Sequence, residues 1–360
     1  LRDVPDPQIT QPTDVLVQIG VVGVCGSDIH YYTSGRIGSQ VVKYPFTVGH
    51  ECAGTVLEIG SAVTRVRVGD RVAIDPAMTC GQCDQCQSGR ENTCRELRFL
   101  GCPGQAEGSL SEYVVMPEHS CFRIADALSL EDATLSEPLA IGVYAVEQSG
   151  LARGARIGIL GMGPIGHSVL LPALHAGCRD CYCTDLIDSR CAAAARAGAV
   201  WVGNPQHQDV VAAIRERVPS GLDLVFECCG QQEALDQAVA LLRPGGTLMI
   251  IGIPETDRIS FSPDQMRRKE LTLVNVRRQR SCVQKALDLI GAHPADAAQW
   301  ITHRYPFSDT PAAFDLVAGY RDGVLKAAIH FAECRLERRR YGNTVCRGDA
   351  VLRGRAGRRR

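Results

Sequence analysis

Between residues 156 and 252 short apolar runs alternate with helical segments, and this order constrains the fold more than any other feature of the chain. The run RIGIL at 156–160 predicts a strand, and 167–176 a helix. Further strands are expected at 181–184, 199–202, 222–227 and 246–252, with helices between them at 190–197, 209–218 and 232–242. Strands that short and apolar are buried on both faces, which requires a doubly wound parallel sheet with helices packed on each side. Gly161-Met162-Gly163-Pro164-Ile165-Gly166 lies between the first strand and its helix. Gly-x-Gly-x-x-Gly in that place gives the tight turn and close backbone approach that a pyrophosphate needs, and the helix N-terminus offers it N–H donors. Gly161, Gly163, Pro164, Ile165 and Gly166 are therefore candidate cofactor-binding residues. Asp185 ends the next strand, 19 residues past Gly166. A carboxylate there accepts both ribose hydroxyls and repels a 2′-phosphate. Leu186 rather than Arg follows it, so the expected cofactor is NAD rather than NADP.

The chain's 360 residues suffice for two domains, and the part before the alternating region reads differently. Residues 12–75 are β-rich, with apolar strands expected at 15–24, 55–59 and 71–74 between turn glycines. Residues 76–108 have little periodicity and nothing to build a core from. They hold Cys80-x2-Cys83-x2-Cys86-x7-Cys94. Four thiolates at that spacing close a tetrahedral zinc site with no open position, and the metal supplies folding free energy that a core does not. The full count is 17 cysteines, odd and spread over a long chain, unlike a short secreted disulfide scaffold. A reducing cytoplasm is the expected compartment. No apolar run approaches the roughly 18 residues of a membrane span. The chain begins at Leu1, and residues 3–11 already read as a loop within a domain, so the first strand is expected to be incomplete.

After residue 252 comes a mixed stretch at 266–280 and a helix at 282–290. The net charge of −1 hides an uneven distribution. Residues 335–360 carry ten arginines against one Glu and one Asp, a net of +8, which leaves −9 on the other 334 residues. That tail has few apolar residues and no pattern, so disorder is expected. The acidic body argues against nucleic acid as a partner.

Three metal-ligand types stand apart from the cysteine lobe: Cys25 in CGSDIH, and His50 with Glu51 in GHECAG. Glu137, in SEPL, is a fourth candidate. A mixed set of about three protein ligands with one open position is what a catalytic zinc needs. CGSDIHYY (25–32), GRIG (35–38), PFTVGHECAGTV (45–56), the four-cysteine lobe, EPL (137–139) and GMGPIG (161–166) together resemble the zinc-dependent medium-chain dehydrogenases. Within them the sequence is most similar to the sorbitol (L-iditol 2-) dehydrogenase branch of polyol dehydrogenases, over about residues 4–333.

The resemblance implies a GroES-like catalytic domain at 1–137, a Rossmann cofactor domain at 138–290, a return to the catalytic domain at 291–334, and the tail beyond. It implies that Cys25 and His50 ligate the catalytic zinc with Glu51 or Glu137 as the third ligand, Glu137 either binding the metal directly or holding its water. Asp28 would orient His50, and alternatively or additionally cap a helix starting at Ile29. Ser27 would take the substrate hydroxyl proton, and His30 would pass it towards solvent. Arg190 would touch the ribose. Arg277 and Arg278 stand where polyol dehydrogenases carry Arg-Tyr. Arg277 would bind cofactor phosphate or substrate hydroxyls. Arg278 departs from the family and suits an acidic sugar, because Arg binds carboxylates bidentately. The implied reaction moves a hydride from a secondary alcohol of a polyol or sugar acid to NAD, with one catalytic and one structural zinc, in a homotetramer or homodimer. A zinc L-threonine 3-dehydrogenase, which usually has Thr where this chain has Ser27, and a non-catalytic zinc- and dinucleotide-binding relative are the alternatives.

Overall fold

The computed structural model describes residues 1–254 and 256–332. Beyond them it describes the backbone of Leu336–Arg338 and Thr344–Cys346, two short strands paired antiparallel. The rest of the Arg-rich tail, on which the disorder expectation falls, lies outside the described residues.

Strand Asp14–Gly23 is the centre of the first sheet. Its residues Val15, Val17 and Ile19 are at most 2% exposed. It pairs antiparallel with Glu51–Ile59, Tyr113–Pro117 and Lys326–His330. Arg71–Ile74 and Cys121–Arg123 extend the sheet on one side, and Ile301–Pro306, parallel to Lys326–His330, on the other. Strand Glu51–Ile59 begins four residues before the expected 55–59, because Cys52 and Ala53 are buried and paired with Val22 and Val21. One candidate ligand, Glu51, is thereby a strand residue, held opposite Gly23.

The second sheet runs Trp201–Gly203, Asp180–Thr184, Arg156–Leu160, Leu222–Glu227, Leu242–Ile250, Thr272–Asn275, with every pair parallel. This is the doubly wound sheet that the alternation implies. The helix after the glycine turn spans Pro164–His175 and starts three residues before the expected 167. Pro164 at its first position has no N–H to lose, and its fixed φ suits a helix start. The mixed stretch at 266–280 resolves into two elements. Helix Pro263–Lys269 is capped by Ser262, whose hydroxyl accepts from the Gln265 N–H, and Thr272–Asn275 is the sixth strand. Among the described residues no helix is long and apolar enough to cross a membrane.

Helix Ser136–Ser149 joins the two halves. Leu139, Val143 and Tyr144 share one core with Val21 and Ala53 of the first sheet and with Ala286, Leu287 and Ile290 of helix Val283–Ala292. Its Gly142 packs against helix Pro164–His175 so closely that a Cβ there would meet the Ser168 carbonyl oxygen at 1.8 Å. Backbone touches backbone, and no side chain fits between. Gly142→Ala is expected to destabilise the protein by about 1–3 kcal/mol through overpacking, read as a lower midpoint in urea unfolding.

Candidate active site

Cys25 lies two residues past the first sheet's central strand and is the N-cap of helix Gly26–Ser34, so a helix start delivers its thiol. His50 lies one residue before strand Glu51–Ile59. The ligand atoms of Cys25, His50 and Glu51 all lie within 4.8 Å of one another. His50 and Glu51 are buried and Cys25 is half-buried. Glu137 is not one of this group, although it is buried beside it and its carboxyl interacts with both His50 and Glu51. Burial raises the Glu137 pKa to about 7, against the opposing pull of His50.

Asp28 is 1% exposed. The helix starts at Gly26 rather than at the expected Ile29, so Asp28 is its third residue and closes a capping box with Cys25 instead of standing before the helix. Its Oδ2 accepts from the Cys25 N–H at 3.1 Å, which caps the helix, and its Oδ1 accepts from the Gly49 N–H at 3.0 Å. The same Oδ1 is 3.4 Å from His50 Nδ1, so the imidazole's other nitrogen faces away from Asp28. Burial pushes the His50 pKa down, but Asp28 and then Cys25 outweigh it and hold it well above the ordinary value. Ser27 and His30 are half-buried on the same helix, three positions apart and therefore on one face.

Lys326 joins the site from outside every motif of the sequence. Its ammonium is 2% exposed and donates to both oxygens of Glu51, at 2.6 and 2.5 Å. Burial lowers the Lys326 pKa, and the Glu51 charge more than restores it. A signal was present in the residues: Lys is almost never fully buried unless paired, and Lys326 stands in the apolar run VLKAAI. Gly23 belongs to the site as well. A Cβ at Gly23 would meet Glu51 Oε2 at 2.4 Å, so the carboxylate occupies the space a side chain would fill.

Phe99 and Arg278 extend the site. The His50 and Phe99 rings are 5.6 Å apart, and the Arg278 guanidinium lies 3.7 Å over the Phe99 ring. Arg278 Nη1 is buried and has no hydrogen-bond partner among the described residues. Desolvation lowers its pKa to about 10. Its φ of +54° is in the left-handed region, where a side chain costs roughly 1–2 kcal/mol. Arg278, Phe99, Glu137 and Asp75 line one small cavity. Arg277 is exposed, and its carbonyl accepts from Asn92 Nδ2 at 2.9 Å, which ties this segment to the cysteine lobe.

In that lobe Cys80 Sγ lies 3.5 Å from Cys94 and 3.9 Å from Cys86, while Cys83 Sγ lies 3.6 Å from Cys86 and 3.9 Å from Cys94. A tetrahedron with metal–sulfur bonds of about 2.3 Å has edges of about 3.8 Å, so the four sulfurs match a zinc tetrathiolate. Backbone N–H donors of Arg95 and Cys86 bring Cys83 down to about 6, whereas burial and the neighbouring thiols push Cys86 up to about 12. Four thiolates this close need a cation among them.

At the glycine turn Gly161 has φ +95°, and a Cβ on Gly166 would meet the Gly161 carbonyl oxygen at 2.1 Å. Gly163 precedes the helix and Pro164 and Ile165 are its first residues. Asp185 is brought to the same turn, where it accepts from the Met162 N–H at 2.7 Å and the Ile187 N–H at 2.8 Å. Arg190 Nη1 is 4.0 Å from Asp185, and its guanidinium lies 5.2 Å over the Tyr320 ring. Arg190 therefore borders this turn.

A β-rich domain carrying two metal-type clusters, joined to a dinucleotide-binding sheet, defines a zinc-binding dehydrogenase. Two family models match the chain: the alcohol dehydrogenase GroES-like domain over residues 11–126 and the zinc-binding dehydrogenase over 164–292. The chain belongs to this zinc-dependent medium-chain dehydrogenase family, as an oxidoreductase. Sorbitol dehydrogenase of Bacillus subtilis is 35% identical over 331 residues, 92% of this chain and 93% of that protein. L-idonate 5-dehydrogenase of Vitis vinifera is 34% identical over 85% of each chain. A solved zinc-binding dehydrogenase of Sinorhizobium meliloti 1021, bound to NADP, superposes with a TM-score of 0.82 at 31% identity, over 91% of this chain and 95% of that one.

Asp75 gives a pH prediction. Burial raises its carboxyl to about 6, against the Ala77 N–H and Gln279 side chain that donate to it. The folded protein therefore keeps a proton that the unfolded chain releases near pH 4, so this contribution to stability is full below pH 4 and is lost as pH rises through 6. Asp75→Asn should remove that loss. In urea unfolding the variant is expected to gain on the parent by up to about 3 kcal/mol at pH 8 relative to pH 4.

Proposed function

We propose that the protein oxidises a secondary alcohol of a polyol or sugar acid to the ketone, with NAD as hydride acceptor. The observation that carries this is the buried meeting of one thiol, one imidazole and one carboxylate at Cys25, His50 and Glu51. That donor set fits a catalytic zinc with an open position, and the four sulfurs of Cys80, Cys83, Cys86 and Cys94 fit a second, closed zinc site. When bound, zinc lowers the pKa of a coordinated hydroxyl and nicotinamide accepts a hydride.

The chain's own residues supply the rest. Asp28 fixes the His50 ring so that its free nitrogen points at the metal position. Lys326 neutralises the buried Glu51, leaving the site less anionic. Ser27 takes the proton of the substrate hydroxyl and His30 passes it outward. Glu51 completes the ligand set, and Glu137, buried beside it, holds a water. Glycines 161, 163 and 166 seat the pyrophosphate, Asp185 receives the ribose hydroxyls, and Arg190 lines the ribose pocket. The Asp185 charge supports NAD over NADP.

Arg278 sharpens the substrate class. A buried guanidinium nitrogen without a partner, beside the metal position, favours an alcohol that also carries a carboxylate. The decisive assay is NADH formation by the zinc-loaded protein on aldonates, neutral polyols and L-threonine, each with NAD and with NADP. Aldonate oxidation is expected, with kcat/KM for NAD at least about tenfold above NADP. No turnover on any alcohol would remove the proposal, and turnover on L-threonine alone would move it to an amino-alcohol dehydrogenase. Arg278→Tyr should lower kcat/KM for aldonates by about 10²-fold while neutral polyols change by only a few-fold. Elemental analysis should find two zinc per chain. Cys25→Ser should retain one, lose turnover and keep a cooperative unfolding transition, whereas Cys83→Ser should lose the lobe's zinc and lower the thermal midpoint.

A further inference from the structure

Most of the cysteines outside the two donor clusters are simply buried, but two of them meet. The Sγ atoms of Cys178 and Cys181 lie 3.1 Å apart, closer than any sulfur pair in the lobe. They belong to Cys178-Arg179-Asp180-Cys181, the turn from the end of helix Pro164–His175 into strand Asp180–Thr184. Gly177, at φ +83°, reverses the chain, and pairing with Ile157 fixes Cys181 in the sheet. The sulfurs need to close by only about 1 Å to reach disulfide length. Among the described residues no third ligand-type side chain joins them, so the pair is not a metal site. The two thiols are also unequal. Their mutual hydrogen bond lowers the Cys178 pKa and raises that of Cys181. Cys178 is also the more accessible, at 9% against 1%. A thiol of lowered pKa beside a more deeply buried one is the arrangement of an attacking and a resolving cysteine.

We infer that Cys178 and Cys181 are a dithiol that exchanges with small disulfides of the glutathione type and closes into an intramolecular bridge. The Cys178 thiolate attacks one sulfur of oxidised glutathione, the S–S bond breaks, and one glutathione leaves as a thiolate that takes up the proton Cys178 gave up. Cys181 then loses its proton and attacks Cys178 Sγ, and the second glutathione leaves and is protonated. Two cysteine thiols are oxidised, and one glutathione disulfide is reduced to two thiols. The bridge ties the turn that follows the helix of the glycine motif to the start of the strand that leads to Asp185. Both halves of the nucleotide site are thus pinned from behind.

The test uses the zinc-loaded full chain, incubated at rising ratios of oxidised to reduced glutathione, alkylated and digested with trypsin. Cleavage after Arg179 places the two cysteines on separate peptides, 157–179 and 180–190. The expected result is a disulfide-linked pair of these peptides, lost with dithiothreitol and formed at a lower ratio than any link involving Cys25 or the lobe. Fragmentation should place the bond at Cys181 rather than Cys183. In Cys181→Ser, glutathione should remain on Cys178 as a stable adduct. Recovery of both peptides as free thiols after the lobe has oxidised, a lasting glutathione adduct on Cys178 of the unaltered chain, or a bond through Cys183 would each overturn the inference.

Discussion

The buried ion pair between Lys326 and Glu51 is the constraint on which the site's arrangement depends. Two opposite charges, each about 1–2% exposed, are 275 positions apart in sequence. Neither tolerates burial alone, since an unpaired buried charge costs several kcal/mol. The chain must therefore leave the first sheet, build an entire parallel sheet, and return strand Lys326–His330 to the edge of Asp14–Gly23. That return fixes the carboxylate opposite Gly23, where only a residue without a side chain leaves room. Cys25 and His50 then meet Glu51 from the adjoining ends of strand and helix.

Charge inside the molecule is organised in short chains of such pairings. Asp28 serves a helix N-terminus, a turn amide and an imidazole at once, so ring orientation and helix placement share one carboxylate. Glu137 and Asp75 have no such full partners, and burial leaves both carboxyls protonated to unusually high pH. Arg278 is the converse, a cation with a nitrogen unsatisfied over an aromatic face. The cysteine lobe solves a different problem. It has almost no apolar side chains to bury, and four sulfurs at tetrahedral spacing replace a core.

Much of this was legible in the residues because it is local. A strand, a glycine turn, a helix and a terminal Asp declare a nucleotide site within thirty residues, and the lobe is written in fifteen. Element ends were less legible: the helix start is set by Pro164 at its first position, and the early start of strand Glu51–Ile59 depends on pairing partners from elsewhere. The partners across long distances were not legible: Lys326 in its apolar run signals that it is paired, but not with what. Nothing local to Glu51 points to Lys326, and nothing near Gly23 indicates that a carboxylate will fill its missing side chain. Arg278 was visible as an unusual residue, but its stacking on Phe99 and its unpaired nitrogen are products of packing.

The contact at Gly142 bears on how the molecule can move. Helix Ser136–Ser149 is embedded in the core of the first sheet and locked, backbone on backbone, to the helix of the glycine turn. A rotation of the two halves about that helix would leave its own residues nearly in place. Points on a pivot travel least, and Glu137 is in its first turn. Such a rotation would swing the outer end of the nucleotide-binding sheet through a long arc, while Glu137 would keep its station beside His50 and Glu51. The hinge and one wall of the reaction chamber are then the same piece of chain.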